Sequence, residues 1–147
     1  MNVRNVVKTG ARLLLLLSLL APGLAAAADF VVIVNPSVKA NALTRAEVQR
    51  YFLKNTTSWP GGEAVKPVDL PKSSAVRATF SSEVLKRSIA ALDQFWTHSI
   101  YSGRAVPPTE RRSDRDVLEF VRETPGAIGY VSAGASLDGV KRISVGD

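Results

Sequence analysis

Phe30 to Val34 is an unbroken apolar, mostly β-branched run closed by Asn35-Pro36. With no polar alternation it predicts a strand buried on both faces, as in a parallel sheet covered by helices. Beyond it the spacing turns helical. Thr44-Arg45-Ala46-Glu47 has the form of a capping box, and the helix it opens places Val48, Tyr51 and Phe52 on one face. Asn55 to Gly62 reads as a loop closed by Trp59-Pro60-Gly61-Gly62. Ala64 to Asp69 predicts a short strand, and Pro67 assigns it to an edge or terminal position.

Three further helices follow. Ser73 or Ser74 caps one with Val76, Phe80, Val84 and Leu85 as its apolar stripe. Ser88 caps another, from about Ile89 to His98, with Leu92, Phe95 and Trp96 inward. Tyr101 to Arg112 reads as a polar loop. Ser113 with Asp116 opens the last helix, carrying Val117, Leu118, Phe120 and Val121 and stopped by Pro125-Gly126. Ala127 to Val131 and Val140 to Val145 predict two more strands. Strands alternating with helices give an α/β domain, a mixed sheet flanked by helices.

The first 28 residues stand apart. Arg4, Lys8 and Arg12 precede the apolar run Leu13 to Leu20, Pro22-Gly23 ends it, and Ala26-Ala27-Ala28 offers a small-residue cleavage site. That order predicts a cleaved secretory signal peptide over 1–28, followed by one α/β domain over 29–147 in the periplasm. The apolar run is shorter than the roughly 20 residues that a spanning helix needs, so no stable membrane insertion is expected after cleavage.

Composition then matters less than it first suggests. The chain has 147 residues and a formal net charge of +6. Three of its 19 basic residues and none of its 13 acidic ones fall in the first 28, leaving +3 for the domain. That excess favours anionic partners only weakly. Zero Cys excludes disulfides and thiolate metal sites. His98 is the lone histidine and reads as a favourable charge near a helix end, so no metal or other cofactor is expected. Ser74 has no histidine near it in sequence and there is no G-x-S-x-G elbow, so no catalytic residues are assigned.

The candidate chemistry is a strand-to-helix turn, Val68-Asp69-Leu70-Pro71-Lys72-Ser73-Ser74-Ala75-Val76-Arg77. Unpaired N–H groups at a helix start hold anions. Here the hydroxyls of Ser73 and Ser74, the N–H groups of Ala75 and Val76, and Arg77 form a candidate anion-binding set. The alternative is an ordinary N-cap at Ser73 or Ser74, contributing about 1 kcal/mol to the helix. Asp69 reads as a strand-end residue that hydrogen-bonds locally.

Leu43-Thr44-Arg45-Ala46-Glu47-Val48, then Tyr51-Phe52-Leu53-Lys54 and Trp59, then the serine turn with Arg77 and Phe80, and finally Thr124-Pro125-Gly126-Ala127-Ile128-Gly129-Tyr130-Val131 occur in a telling order. The set resembles the phosphate-type periplasmic solute-binding proteins of ABC transporters. The resemblance implies one lobe of a type II periplasmic binding protein, specifically the second lobe, in a two-lobed family that closes on its solute by a hinge. It also implies a turn built as serine-glycine-threonine with an arginine upstream. Ser74 falls on the serine position, Ala75 on the glycine, Val76 on the threonine and Leu70 on the arginine. One hydroxyl and the upstream charge are therefore missing, and Lys72 and Arg77 are the residues that would compensate.

Two functions follow as expectations. One is an exported, non-catalytic protein holding phosphate or a similar oxyanion, working with a transporter. The other is an interaction module that keeps the fold, has lost the solute, and meets an envelope protein through Trp59, Tyr101, Arg104, Arg111 and Arg112. Nucleic acid is not an expected partner, because Glu110 and Asp114 interrupt the basic cluster Arg111-Arg112-x-x-Arg115.

Overall fold

The computed structural model describes residues 29–147. The proposed leader over 1–28 lies outside the described residues. Elements follow in the order β1 (Phe30–Val34), β2 (Ala42–Thr44), α1 (Arg45–Phe52), β3 (Lys66–Asp69), α2 (Ala75–Glu83), α3 (Ile89–Tyr101), β4 (Thr109–Glu110), α4 (Asp114–Glu123), β5 (Ala127–Ser132) and β6 (Lys141–Gly146). Among the described residues these strands form one six-stranded mixed sheet in the order β2-β6-β1-β5-β3-β4. No described helix is long and apolar enough to cross a membrane.

β1 is buried on both faces, as its composition predicts: Val31 to Val34 are all at most 6% exposed. Its partners differ from the parallel neighbours expected. β5 and β6 both run antiparallel to it, with Val32 opposite Tyr130 on one side and Ile143 on the other. Burial on both faces reflects helices above and below the sheet and carries no information on strand direction. β3 pairs in parallel with both β5 and β4. Pro67 is tolerated there because β4 covers only Val68 and Asp69, so no ladder donor is required of Pro67 on that side.

The alternation of β5 assigns its two faces. Tyr130 stacks on Phe80 of α2 with ring centroids 3.8 Å apart, and Phe52 of α1 and Phe30 of β1 close the same cluster. Gly129, pointing the other way, meets Val117 and Val121 of α4. The sheet is therefore sandwiched, with α1 and α2 on one face and α4 on the other. Burying a side chain such as Phe80 stabilises this arrangement by about 1.5–3 kcal/mol.

The helix starts are set locally. Thr44 accepts from the Glu47 N–H while the Glu47 carboxylate takes the Thr44 N–H, completing the capping box. Ser74, Ser88 and Ser113 each accept a backbone N–H three residues on. At the far end of α4, the Asn35 amide donates to the carbonyls of Val121 and Arg122, tying the end of β1 to the helix terminus.

Candidate functional site at the start of α2

β3 ends at Asp69, and the chain turns through Leu70 to Ser74 into α2. The Ser74 N–H donates to Pro71 O at 2.9 Å, which closes the turn. The Ser74 hydroxyl accepts from the Arg77 N–H at 3.2 Å, and the Ser74 carbonyl accepts from Ala78 at 3.0 Å. Ser74 is therefore the N-cap, which resolves the choice between Ser73 and Ser74; Ser73 is exposed. The N–H groups of Ala75 and Val76 lie in the first turn, and no acceptor among the described residues takes them.

The charges around the turn are engaged. Lys72 pairs with Asp93 at 2.6 Å on the surface. Arg77 turns inward, its side chain only 6% exposed. Its Nη1 donates to Leu70 O at 2.6 Å and to Glu110 Oε2 at 2.7 Å, and Nη2 lies 3.3 Å from Asp69 Oδ2. The Tyr130 hydroxyl donates to Asp69 Oδ1 and lies 3.4 Å from the Leu70 N–H. Burial pushes the Asp69 carboxyl above its ordinary range, against the opposing pull of Arg77 and of the Tyr130 hydrogen bond. Burial, reinforced by the Asp69 charge, also drives the Tyr130 phenol well above its usual value. Two polar atoms of this region, Arg77 Nε and Ser81 Oγ, are buried without a partner.

Asp69 and Glu110 are the last residues of adjacent parallel strands and face each other in register. Arg77, from the helix that follows β3, bridges them. Open α/β sheets present their ligands in this region, outside the carboxyl ends of parallel strands. The structure thus brings Ser73, Ser74, Ala75 and Val76 together at one surface and sets Arg77 beneath them, neutralised by two carboxylates.

Chains of known structure share this architecture. An ABC-type phosphate transport receptor from Vibrio cholerae superposes with a TM-score of 0.64 at 19% identity, over 80% of this chain and 46% of that one. The chain shares its fold with about half of that receptor. A protein from Clostridium perfringens, assigned as the substrate-binding protein of a phosphate ABC transporter and solved with phosphate bound, matches with a TM-score of 0.64 at 19% identity, over 80% of this chain and 45% of that one. PstS from Borrelia burgdorferi gives 0.62 at 15% identity, over 80% and 47%. The chain therefore spans about half the length of these receptors, in keeping with a single-lobe relative. No protein-family model matches the sequence, and no curated protein does.

The residues expected at a partner contact are dispersed over the fold. Trp59 does not serve as a surface anchor: it is 5% exposed, packs on Tyr51, and its indole N–H donates to Gly126 O at 2.9 Å. A buried indole needs such a partner, and the loop aromatic is used to close its own core edge. Tyr101 is 88% exposed at the end of α3, with Ile100 and Val106 exposed nearby in the chain. Arg104 is exposed in the loop that follows, its Nε donating to the Ser102 hydroxyl. Arg111 lies over the Phe120 ring at 4.8 Å and Arg112 pairs with Asp116. These two line an open groove of about 710 Å³ together with Glu110, Glu119 and Glu123.

Sequence reasoning missed Glu110 and Tyr130 as partners of the turn. Tyr130 carried a signal: a tyrosine inside an aliphatic buried strand needs a partner for its hydroxyl. Glu110 carried none, because β4 is only two residues long.

Proposed function

We propose that this chain is an exported, non-catalytic solute-binding-like protein of the phosphate-receptor type, which takes a small oxyanion from one side at the start of α2. The observation that carries this reading is the pair of unclaimed N–H groups at Ala75 and Val76, flanked by the Ser73 and Ser74 hydroxyls at a helix N-terminus. The helix dipole favours an anion there by about 0.3–1 kcal/mol when exposed. The fold shared with a receptor solved with phosphate bound supports the same reading. Binding is weak, because one lobe leaves the anion in contact with water.

Titration calorimetry with phosphate and with sulfate at millimolar concentration tests it. The expected result is a low-affinity heat that Ser74→Ala diminishes. No heat with either anion overturns it.

A second reading, an interaction module without solute, is favoured by one observation. The cations nearest the turn, Lys72 and Arg77, are already paired with Asp93 and with Asp69 and Glu110, while Tyr101 stands almost fully exposed. In that case the apolar tip around Tyr101 and Arg104 meets an envelope protein, and the anion titration is silent.

A further inference from the structure

Arg77 is held by partners of two kinds. Asp69 and Leu70, whose carbonyl takes Nη1, are buried at the end of β3. Glu110 is not: its side chain is 49% exposed, and its strand is a two-residue edge paired only to β3. Glu110 therefore approaches the guanidinium from the solvent side, and it places a carboxylate oxygen 2.7 Å from Nη1. A carboxylate in that position has the charge and reach of one edge of a bound oxyanion. Rotation of one half-exposed side chain is enough to free one Nη1 hydrogen, the other staying on Leu70 O, whereas freeing Asp69 requires opening the core.

We propose that Glu110 is an internal competitor for the oxyanion: it occupies, on Arg77, the place an incoming anion would take, and it thereby sets the affinity of the site. This inference rests on the oxyanion reading given above. In the resting protein only the Ala75 and Val76 amides and the serine hydroxyls face the ligand. When Glu110 swings out, Arg77 adds a charged donor at the carboxyl ends of β3 and β4. An anion that displaces Glu110 gains this donor, and one that does not remains loosely held.

The experiment compares phosphate binding by calorimetry in the wild-type protein, Glu110→Gln, Glu110→Ala and Glu83→Gln. Glu83→Gln removes the same charge at the opposite end of α2. The expected result is at least a tenfold tighter phosphate affinity in both Glu110 variants and no change in Glu83→Gln. Adding Arg77→Lys to Glu110→Gln should abolish the gain, with thermal melting used to confirm that the double variant is folded. Equal phosphate affinity in wild type and both Glu110 variants overturns the competitor and leaves the oxyanion reading standing. A gain that Glu83→Gln matches, or that survives Arg77→Lys, overturns it as well. No binding in any variant overturns both.

Discussion

Asp69 and Glu110 stand opposite each other in register at the ends of two parallel strands and share the guanidinium of Arg77. Their burial is unequal, Asp69 being 5% exposed and the Glu110 side chain 49%, so their substitutions should differ. Asp69→Ala leaves Arg77 Nη2 without a partner and the Tyr130 O–H without an acceptor in the interior and should cost about 3 kcal/mol. Glu110→Ala removes a solvent-screened pair and should cost under about 1 kcal/mol. Urea unfolding of the two variants measures the contrast, and similar midpoints would contradict the assignment of Asp69 as the internal anchor.

Tyr130 links the same network to alkaline pH. Burial raises its folded-state ionisation above the ordinary value of 10. A raised value means that the folded state holds its proton longer than the unfolded state does. This contribution to stability is therefore complete below about pH 10 and is lost as pH rises beyond it. Tyr51 is raised in the same direction by burial, so it contributes in parallel. Tyr130→Phe should lower stability at pH 7 by about 1.5 kcal/mol, the loss of a hydrogen bond to a carboxylate. It should also leave a shallower decline between pH 9 and pH 11. Chemical denaturation across that range, with phenolate absorbance as a second signal, checks both effects.

Gly129 is required for a reason of space. A Cβ at this position would lie 2.7 Å from Val68 Cγ1 and 3.1 and 3.2 Å from Val117 and Val121, all in the layer between β5 and α4. Gly129→Ala should destabilise by about 1–3 kcal/mol through overpacking. Gly126 is more constrained, with φ +77° and a built Cβ only 2.2 Å from Ala64 O, so Gly126→Ala should be the more damaging of the two. Thermal melts of both variants give the order.

The capping box at α1 should report acid weakening. Hydrogen bonds from Thr44 hold the Glu47 carboxyl below its ordinary value. The stability it provides is therefore present above about pH 4.5 and lost as pH falls through the lowered folded value. Thr44→Ala should cost about 1 kcal/mol at pH 7 and less at pH 3, where the Glu47 arm of the box is already released. Melting temperatures at the two pH values test the difference.

The fold was legible where local chemistry decides. Four polar caps placed four helix starts, a β-branched run placed β1, and the Pro125-Gly126 stop placed the start of β5. Ala42–Thr44 and Thr109–Glu110 escaped notice because strands of three and two residues carry no periodicity and exist through their neighbours alone. The direction of β1 was equally invisible, since a strand covered above and below has the same composition whichever way its partners run. At the turn, the N-cap followed from Ser74, but the inward course of Arg77 did not. Arg77 was expected to face an anion at the turn, and nothing in the sequence shows that the buried Asp69 draws it inward instead.

The placing of β1 between β5 and β6 also bears on when the chain acquires its shape. The first strand of the domain finds both of its partners near the opposite end, Phe30 meeting Ser132 and Val34 meeting Lys141. Such distant pairings are slow to close, because loop entropy must be overcome before any contact compensates for it. The middle of the sheet stays empty until the last two strands have left the ribosome.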